Sequence, residues 1–407
     1  MPMKFIPAQG TDSVMYDAGY LDESWDTSSF SAHGQRASIE RMPSYVLEPD
    51  GPAVPLPRGN SIDVSELIFT SPATGEPLNF EDFNNEYLGL DGLCVAHHGQ
   101  VVSELYFNGL TEQDQHLIHS CSKTLTGMQV ALAQQSGLLT VDQHVTHFLP
   151  ELKTIDAWKD VTIQHLLDMA TGIVSDENYY DPTSMYYRYA YGVGYWGPKS
   201  DTGIGTLQFV LNNLQEQECR PGTKFNYASY NTNLIPLILD KVYSESCVQH
   251  YETDIFSKLG SENNAYLNCD ALGNPIVEGH LNLTLRDFYR WGHLLLSNGV
   301  NLRGEQVIPE SWVNETFSHS RPRAAAFGNS AHAGVFPGAQ YHNQLWQFQP
   351  ELQRGSMLGI YGQSFYIDRV NAIEIVCLAS NPEMTSDKNT VGKLELWRAV
   401  SQYFGVY

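Results

Sequence analysis

The stretch HSCSKTLTG, residues 119–127, carries the most specific signal in this 407-residue sequence. It places Ser120 three residues before Lys123, at the predicted start of a helix that ends at Gly137. Because residues i and i+3 share one face of a helix, we expect the lysine amine close to the serine hydroxyl. The unpaired N–H groups at a helix N-terminus suit a developing oxyanion. The spacing therefore predicts an activated serine, and the alternative is a serine that only caps the helix.

A base is required for this interpretation, because an isolated serine hydroxyl is a poor nucleophile. A free lysine has a pKa of about 10.4 and is protonated at neutral pH. Burial or a neighbouring cation lowers that pKa. Of all the lysines in the chain, Lys123 alone follows a serine at this spacing.

The segments on either side of this stretch predict an α+β fold. Strand patterns occur at residues 93–107, 345–348, 364–367 and 372–376, and helical patterns at 162–169, 206–213, 233–242, 284–296 and 394–404. The two strand regions are too short to bury a core separately, so we expect one antiparallel sheet flanked by helices. An all-helical subdomain, about residues 125–285, is then inserted into a main domain of residues 85–407, with the active site in the cleft between them. The Ser-, Asp- and Pro-rich residues 1–84 are predicted to pack on the surface as an extension.

Composition and charge exclude several classes of function. The formal net charge of −23 argues against nucleic acid as a partner. No apolar run is long enough to span a membrane, and no apolar segment follows the first residues, so we expect a cytoplasmic protein without a membrane partner. The six cysteines form no C-x-x-C pair and the 14 histidines show no ligand spacing. Neither a metal nor a cofactor is expected.

Taken with other motifs, residues 119–127 resemble the active-site helix of class C β-lactamases and their esterase relatives. The further matches are DQHVTHFLPEL at 142–152, VTIQHLLDMATG at 161–172, PGTKFNYAS at 221–229 and LTLRD at 283–287. The resemblance covers roughly residues 85–405 and implies the fold shared by β-lactamases and DD-peptidases. The subgroup that looks most similar comprises 6-aminohexanoate-dimer (nylon-oligomer) hydrolases and family VIII-type carboxylesterases. Its hallmarks look present in YYDP at 179–182 and GIYGQ at 359–363.

The resemblance implies a catalytic role for three side chains. Ser120 would be the nucleophile, Lys123 its base, and Tyr227 the group that relays a proton to the leaving group. The alternative for Tyr227 is a core tyrosine after a turn. The backbone N–H groups of Ser120 and Ile360 would form the oxyanion hole.

Substrate contacts are implied at Tyr179, on a loop over the cleft, at Gly359 and at Glu278. Tyr179 could instead be a surface or core aromatic, and Glu278 could be a solvated carboxylate. If Glu278 faces the cleft, it favours cationic or neutral acyl substrates.

Departures from the family pattern separate this chain from true β-lactamases. Residues 357–359 read Met-Leu-Gly where those enzymes have Lys-Thr-Gly, and the second motif is Tyr-x-Ser rather than Tyr-x-Asn. Ala190 aligns with the acidic residue that meets the substrate's ammonium in nylon-oligomer hydrolases, so a linear aminohexanoate dimer is not assured as substrate.

The sequence therefore predicts a serine hydrolase that cleaves ester or amide bonds of small molecules by two-step acyl transfer. One alternative is a cell-wall enzyme of the penicillin-binding or D-alanyl peptidase type. Another is a family member that binds a ligand without chemistry. The oligomeric state stays open, with a homodimer among the possible assemblies.

Overall fold

The computed structural model describes residues 3–7, 31–194 and 203–406. Its strands are β1 (Phe5–Ile6), β2 (Ser44–Leu47), β3 (Phe69–Thr70), β4 (Pro77–Leu78), β5 (Leu90–His97), β6 (Gln100–Tyr106), β7 (His116–Leu117), β8 (Ala265–Asn268), β9 (Leu281–Leu283), β10 (Gln340–His342), β11 (Leu345–Gln349), β12 (Arg354–Leu358), β13 (Ser364–Asp368) and β14 (Ile373–Ala379).

Its α-helices are α1 (Ser31–Gly34), α2 (Ser38–Arg41), α3 (Phe80–Phe83), α4 (Thr124–Gln135), α5 (Val145–Phe148), α6 (Ile163–Leu167), α7 (Met185–Val193), α8 (Gly205–Asn213), α9 (Ser229–Tyr243), α10 (Cys247–His250), α11 (Leu285–Leu296), α12 (Glu310–Thr316), α13 (Arg321–Gly328) and α14 (Asp387–Tyr403). Short 3₁₀ turns at His119–Lys123 and Ile360–Gly362 border the site described below.

The two predicted strand regions share one sheet, as expected. Seven antiparallel strands lie in the order β10-β11-β12-β13-β14-β5-β6, and β14 joins the two regions by pairing with β5. Side chains alternate between the two faces of a strand. Phe365 packs on Phe288 of α11 at a ring distance of 5.5 Å, whereas the next residue, Tyr366, stacks on Trp397 of α14 at 4.6 Å. Helices therefore cover both faces of the sheet, which explains why all of β14 is buried.

A second antiparallel sheet, in the order β1-β2-β8-β9-β7, incorporates part of the N-terminal segment. Val46 and Leu47 of β2 are buried and pair with β8, so this part is integral to the core rather than laid over the surface. The prediction of a purely superficial extension is wrong here, because a four-residue strand carries too short a pattern to be detected. The division at residues 84 and 85 stays a prediction. The last strand, β7, ends just before the turn that carries Ser120.

The range predicted as an all-helical subdomain, about residues 125–285, also contains strands β8 and β9, which pair with each other in the second sheet. Before β8, the regular elements among the described residues of this range are helical. The expected helices at 162–169, 206–213 and 233–242 correspond to α6, α8 and α9. The final helix begins at Asp387 instead of residue 394, because the Ser386 hydroxyl caps it by accepting from the N–H of Asn389. No helix within the described ranges has both the length and the apolar character needed to cross a bilayer.

A buried histidine ties α6 to the main sheet. His342 at the end of β10 bonds Asp168, which follows α6, at 2.7 Å, and Glu315 of α12 at 2.5 Å. Burial lowers the pKa of His342, but the two carboxylates outweigh it and raise the pKa to about 9. The imidazolium therefore links the helical segments to the sheet that borders the cleft.

Candidate active site

The turn between β7 and α4 positions the predicted nucleophile. Residues 119–123 form a 3₁₀ turn rather than the first turn of the α-helix, which begins at Thr124. Side chains at i and i+3 eclipse in a 3₁₀ helix, because it has three residues per turn. Accordingly the Nζ atom of Lys123 donates to the Oγ atom of Ser120 at 2.9 Å. The S-x-x-K spacing thus brings amine and hydroxyl together by a tighter turn than expected.

A glutamate faces the same lysine from the segment before β9. The carboxylate of Glu278 lies 3.7 Å from the Nζ atom of Lys123, and both side chains are almost fully buried, at 4% and 1% exposure. Lys123 also donates to the backbone oxygen of Glu278 at 2.5 Å. Asn233 of α9 holds the segment by accepting from the Glu278 N–H at 3.0 Å. The interpretation of Glu278 as a solvated carboxylate is therefore wrong.

Burial and mutual attraction act against each other in this pair. Burial lowers the pKa of Lys123, while Glu278 and, to a smaller extent, Glu177 oppose that change. Burial raises the pKa of Glu278 to about 7, although Lys123 pulls it down. Near neutral pH, Lys123 and Glu278 can therefore share one proton. When that proton lies on Glu278, the Lys123 amine beside Ser120 is neutral.

Tyr227 also lies close to this lysine, on the loop that leads into α9. The Nζ atom of Lys123 lies 5.1 Å from the centre of the Tyr227 ring, and the Tyr227 hydroxyl interacts with Ser120. The ring is stacked on Trp346 at 5.5 Å and packs edge-on against Tyr341 at 6.1 Å. Burial raises the pKa of the Tyr227 phenol well above its usual range, so Tyr227 is protonated at neutral pH. It is neither an isolated core tyrosine nor a base in its resting state.

The end of β12 lies against the nucleophile turn. A Cβ atom on Gly359 would come within 2.7 Å of the backbone oxygen of Ile118 and 3.1 Å of the Cβ atom of His119, so only glycine permits this approach. The Gly359 N–H donates to the Gln363 oxygen at 2.9 Å. Ser120, Gly359 and Ile360 all line one cavity.

A second carboxylate, which the sequence did not reveal, lies in this cavity. Glu177 accepts from the N–H of Ser229 at 2.5 Å and from its hydroxyl at 2.7 Å, and from the Tyr179 hydroxyl at 2.6 Å. It thereby connects the loop of Tyr179 to the Tyr-Ala-Ser motif. Ala190, where the resemblance would place an acid, is buried in the apolar core on α7. The one sequence feature that could have indicated Glu177 is its position two residues before the YYDP segment, residues 179–182.

The cavity has a volume of about 290 Å³ and is lined by residues from each predicted part of the site, among them Ser120, Tyr179, Tyr227, Gly359 and Ile360. Glu278 contacts Lys123 but is not among the residues that line the cavity. His119 gives no alternative base for Ser120, because burial lowers its pKa well below the usual value and its ring bonds Gln35 at 2.6 Å. The arrangement supplies a nucleophile, an amine, a phenol and a cavity for a small substrate.

Comparison with known proteins identifies the family and the fold. The family model described as Beta-lactamase matches residues 88–395. A 6-aminohexanoate-dimer hydrolase of Paenarthrobacter ureafaciens is 28% identical over 294 residues, which cover 72% of this chain and 73% of that protein. A structure from Bacillus anthracis, named as a candidate 6-aminohexanoate-dimer hydrolase, superposes with a TM-score of 0.81 at 22% identity, covering 94% of this chain and 96% of the other.

A more distant structure, EstCE1, is described as a hydrolase with promiscuous acyltransferase activity. It superposes with a TM-score of 0.59 at 16% identity over 79% of this chain and 96% of its own. The chain belongs to the β-lactamase family and has the fold shared by β-lactamases and penicillin-binding proteins. It is related to hydrolases of amide and ester bonds.

Proposed function

We propose that the protein is a serine hydrolase that cleaves small carboxylic esters or amides through an acyl-enzyme on Ser120. The observation that carries the proposal is the 2.9 Å contact between the Ser120 hydroxyl and the amine of Lys123, whose side chain is only 1% exposed. Such burial favours the neutral amine, which is the form that can accept a proton.

Acylation begins when the Oγ atom of Ser120 attacks the substrate carbonyl carbon and Lys123 accepts the hydroxyl proton. The carbonyl π electrons move onto oxygen, and the backbone N–H groups of Ser120 and Ile360 stabilise that oxyanion. Collapse of the tetrahedral intermediate breaks the bond to the leaving alcohol or amine. Tyr227 gives its phenolic proton to the leaving group and recovers one from the protonated Lys123, so the balance of protons is restored.

Deacylation reverses the relay. A water molecule gives a proton to Tyr227, which passes its phenolic proton to the neutral Lys123, while the water oxygen attacks the acyl carbon. The second tetrahedral intermediate then breaks its bond to the Ser120 oxygen, which takes the proton back from Lys123. The net reaction consumes one water and releases a carboxylic acid together with an alcohol or amine. The similarity to a 6-aminohexanoate-dimer hydrolase supports an amide as one substrate class, and the volume of about 290 Å³ favours small molecules.

The test compares hydrolysis of p-nitrophenyl butyrate and of the matching p-nitroanilide by the native chain, Ser120→Ala and Ser136→Ala. Ser136 is an exposed serine at the end of α4 and serves as the matched control. We expect Ser120→Ala to lose at least 10³-fold in kcat/KM, on the scale seen when a nucleophile is removed. Retention of native kcat/KM by Ser120→Ala would refute the proposal.

A further inference from the structure

A lysine other than Lys123 lines the cavity. Lys393 lies on the inner face of α14 and lines the cavity together with Ser120, although only 7% of the residue is exposed. Lysines are rarely buried to this extent unless they are paired. The mechanism above does not use Lys393.

No carboxylate among the described residues forms an ion pair with the Lys393 amine. Across residues 3–7, 31–194 and 203–406, Lys393 has neither an ion pair with a carboxylate nor a hydrogen bond from its amine to protein. Its electrostatic neighbours are the thiols of Cys121 and Cys377. Burial raises the pKa of both thiols, that of Cys377 to about 11, so they are neutral at pH 7. Burial lowers the pKa of Lys393 to about 8, which still leaves it mostly protonated at pH 7.

Two carboxylates line the cavity, Glu177 and Asp387, and neither forms an ion pair with Lys393. Glu177 is occupied by Ser229 and Tyr179, and Asp387 is exposed at the start of α14. His332 is neutral, because burial lowers its pKa, and Tyr227 is protonated, as described above. The first turns of α14 border the cavity as well, and a helix N-terminus adds positive potential. The wall formed by α14 therefore presents a positive charge to whatever occupies the cavity.

We propose that Lys393 binds a carboxylate of the substrate, so that the enzyme selects esters or amides bearing a free carboxylate in the acyl or the leaving group. The inference rests on the proposed function and narrows its substrate class. A buried charge is costly when it is left unpaired, so an anionic ligand relieves that cost while a neutral ligand does not. Lys393 is a specificity-determining residue in this scheme and takes no part in bond making or breaking.

Two matched substrate pairs test the proposal. The acyl pair is mono-p-nitrophenyl adipate and its methyl-capped diester. The leaving-group pair is 4-carboxyphenyl butyrate and its methyl ester. For at least one pair we expect the native chain to favour the carboxylate by tenfold or more in kcat/KM, and Lys393→Met to reduce that ratio to about two or less. Tenfold corresponds to about 1.4 kcal/mol.

Two variants control for structural effects. Lys388→Met alters an exposed lysine of the same helix, which pairs with Glu86, and is expected to keep the native ratio. Lys393→Arg, which retains the positive charge, is expected to keep part of the native preference for the carboxylate substrate. A measurement on the native chain needs no variant: the ratio should fall as the pH rises through about 8, because Lys393 loses its proton while the substrate carboxylate stays ionised.

The outcomes separate this inference from the proposed function. Ser120-dependent hydrolysis without preference in either pair, or a preference that Lys393→Met retains, would overturn the role of Lys393 alone. A native ratio that does not change between pH 6 and pH 10 would also overturn it. Absence of Ser120-dependent hydrolysis of all four esters, and of the p-nitrophenyl ester and p-nitroanilide used above, would overturn the proposed function and this inference with it.

Discussion

Replacing Glu278 by glutamine is expected to move the acid limb of the pH–rate profile to lower pH. The limb reports formation of the neutral Lys123 amine, which is the base of the proposed mechanism. The negative charge of Glu278 stabilises the protonated amine, so its removal lowers the pKa of Lys123. The neutral amine then persists to lower pH, and activity at the acid end rises relative to the plateau.

The geometry sets the size of this effect. Two unit charges 3.7 Å apart, at an effective dielectric constant of about 20, interact by about 4 kcal/mol, or about 3 pKa units. The pKa of Glu278 is itself raised to about 7, so its carboxylate is only partly ionised near neutral pH and the realised effect is smaller. We therefore expect a shift of about 1 to 3 units.

The assay is kcat/KM for p-nitrophenyl butyrate between pH 5 and pH 10, in the native chain and in Glu278→Gln. Glu383→Gln, which alters an exposed glutamate next in sequence to the cavity-lining Met384, is the control and should leave the profile in place. Glutamine preserves the size of the side chain and removes only its charge. An acid limb that stays within 0.3 units, with activity otherwise intact, would refute the electrostatic role of Glu278.

Further predictions concern the relay, the oxyanion side and the fold. Tyr227→Phe keeps the ring contacts but removes the relay proton, so we expect kcat to fall about 10²- to 10⁴-fold. Amides should be affected more than esters, because an amine is the poorer leaving group. Equal kcat for the native chain and the variant would contradict the relay. Gly359→Ala places a Cβ atom 2.7 Å from the Ile118 oxygen and should lower kcat/KM at least tenfold by displacing β12, and an unchanged kcat/KM would show that the close approach is dispensable. The raised pKa of His342 contributes unfolding free energy that is fully present below about pH 6.5 and is lost as the pH rises through about 9. His342→Gln should therefore remove about 3 kcal/mol at pH 6 and flatten this decline, measured by urea unfolding at pH 6 and pH 9. A variant as stable as the native chain at pH 6 would contradict a stabilising role for the contacts of His342 with Asp168 and Glu315.

The local part of the site could be predicted because it depends on neighbouring residues. The i, i+3 spacing places Lys123 beside Ser120 in either helix type, and the structure differs only in the tightness of the turn. Tyr227 and Ile360 came from motifs whose residues stand close together in the sequence. These segments meet at one cavity because the two strand regions form one sheet, which the order of elements predicted.

The charged residues around this centre could not be predicted in the same way, because burial is a property of the folded chain. Glu278 follows a short apolar segment and was open to interpretation as a solvated carboxylate, yet the folded chain buries it beside Lys123. Glu177 lies in a loop without periodicity. Lys393 belongs to the polar run DKNTVGKLE, residues 387–395, which indicates a solvated surface, whereas α14 turns this residue inward.

The central claim is that Ser120 is an activated nucleophile, and intact-protein mass spectrometry after exposure to a fluorophosphonate tests it most directly. The native chain and Ser120→Ala are treated side by side at pH 8. A single adduct on the native chain that is absent from Ser120→Ala is the result we predict, since only the serine beside Lys123 is activated. No adduct on the native chain, or equal labelling of both chains, would contradict the account.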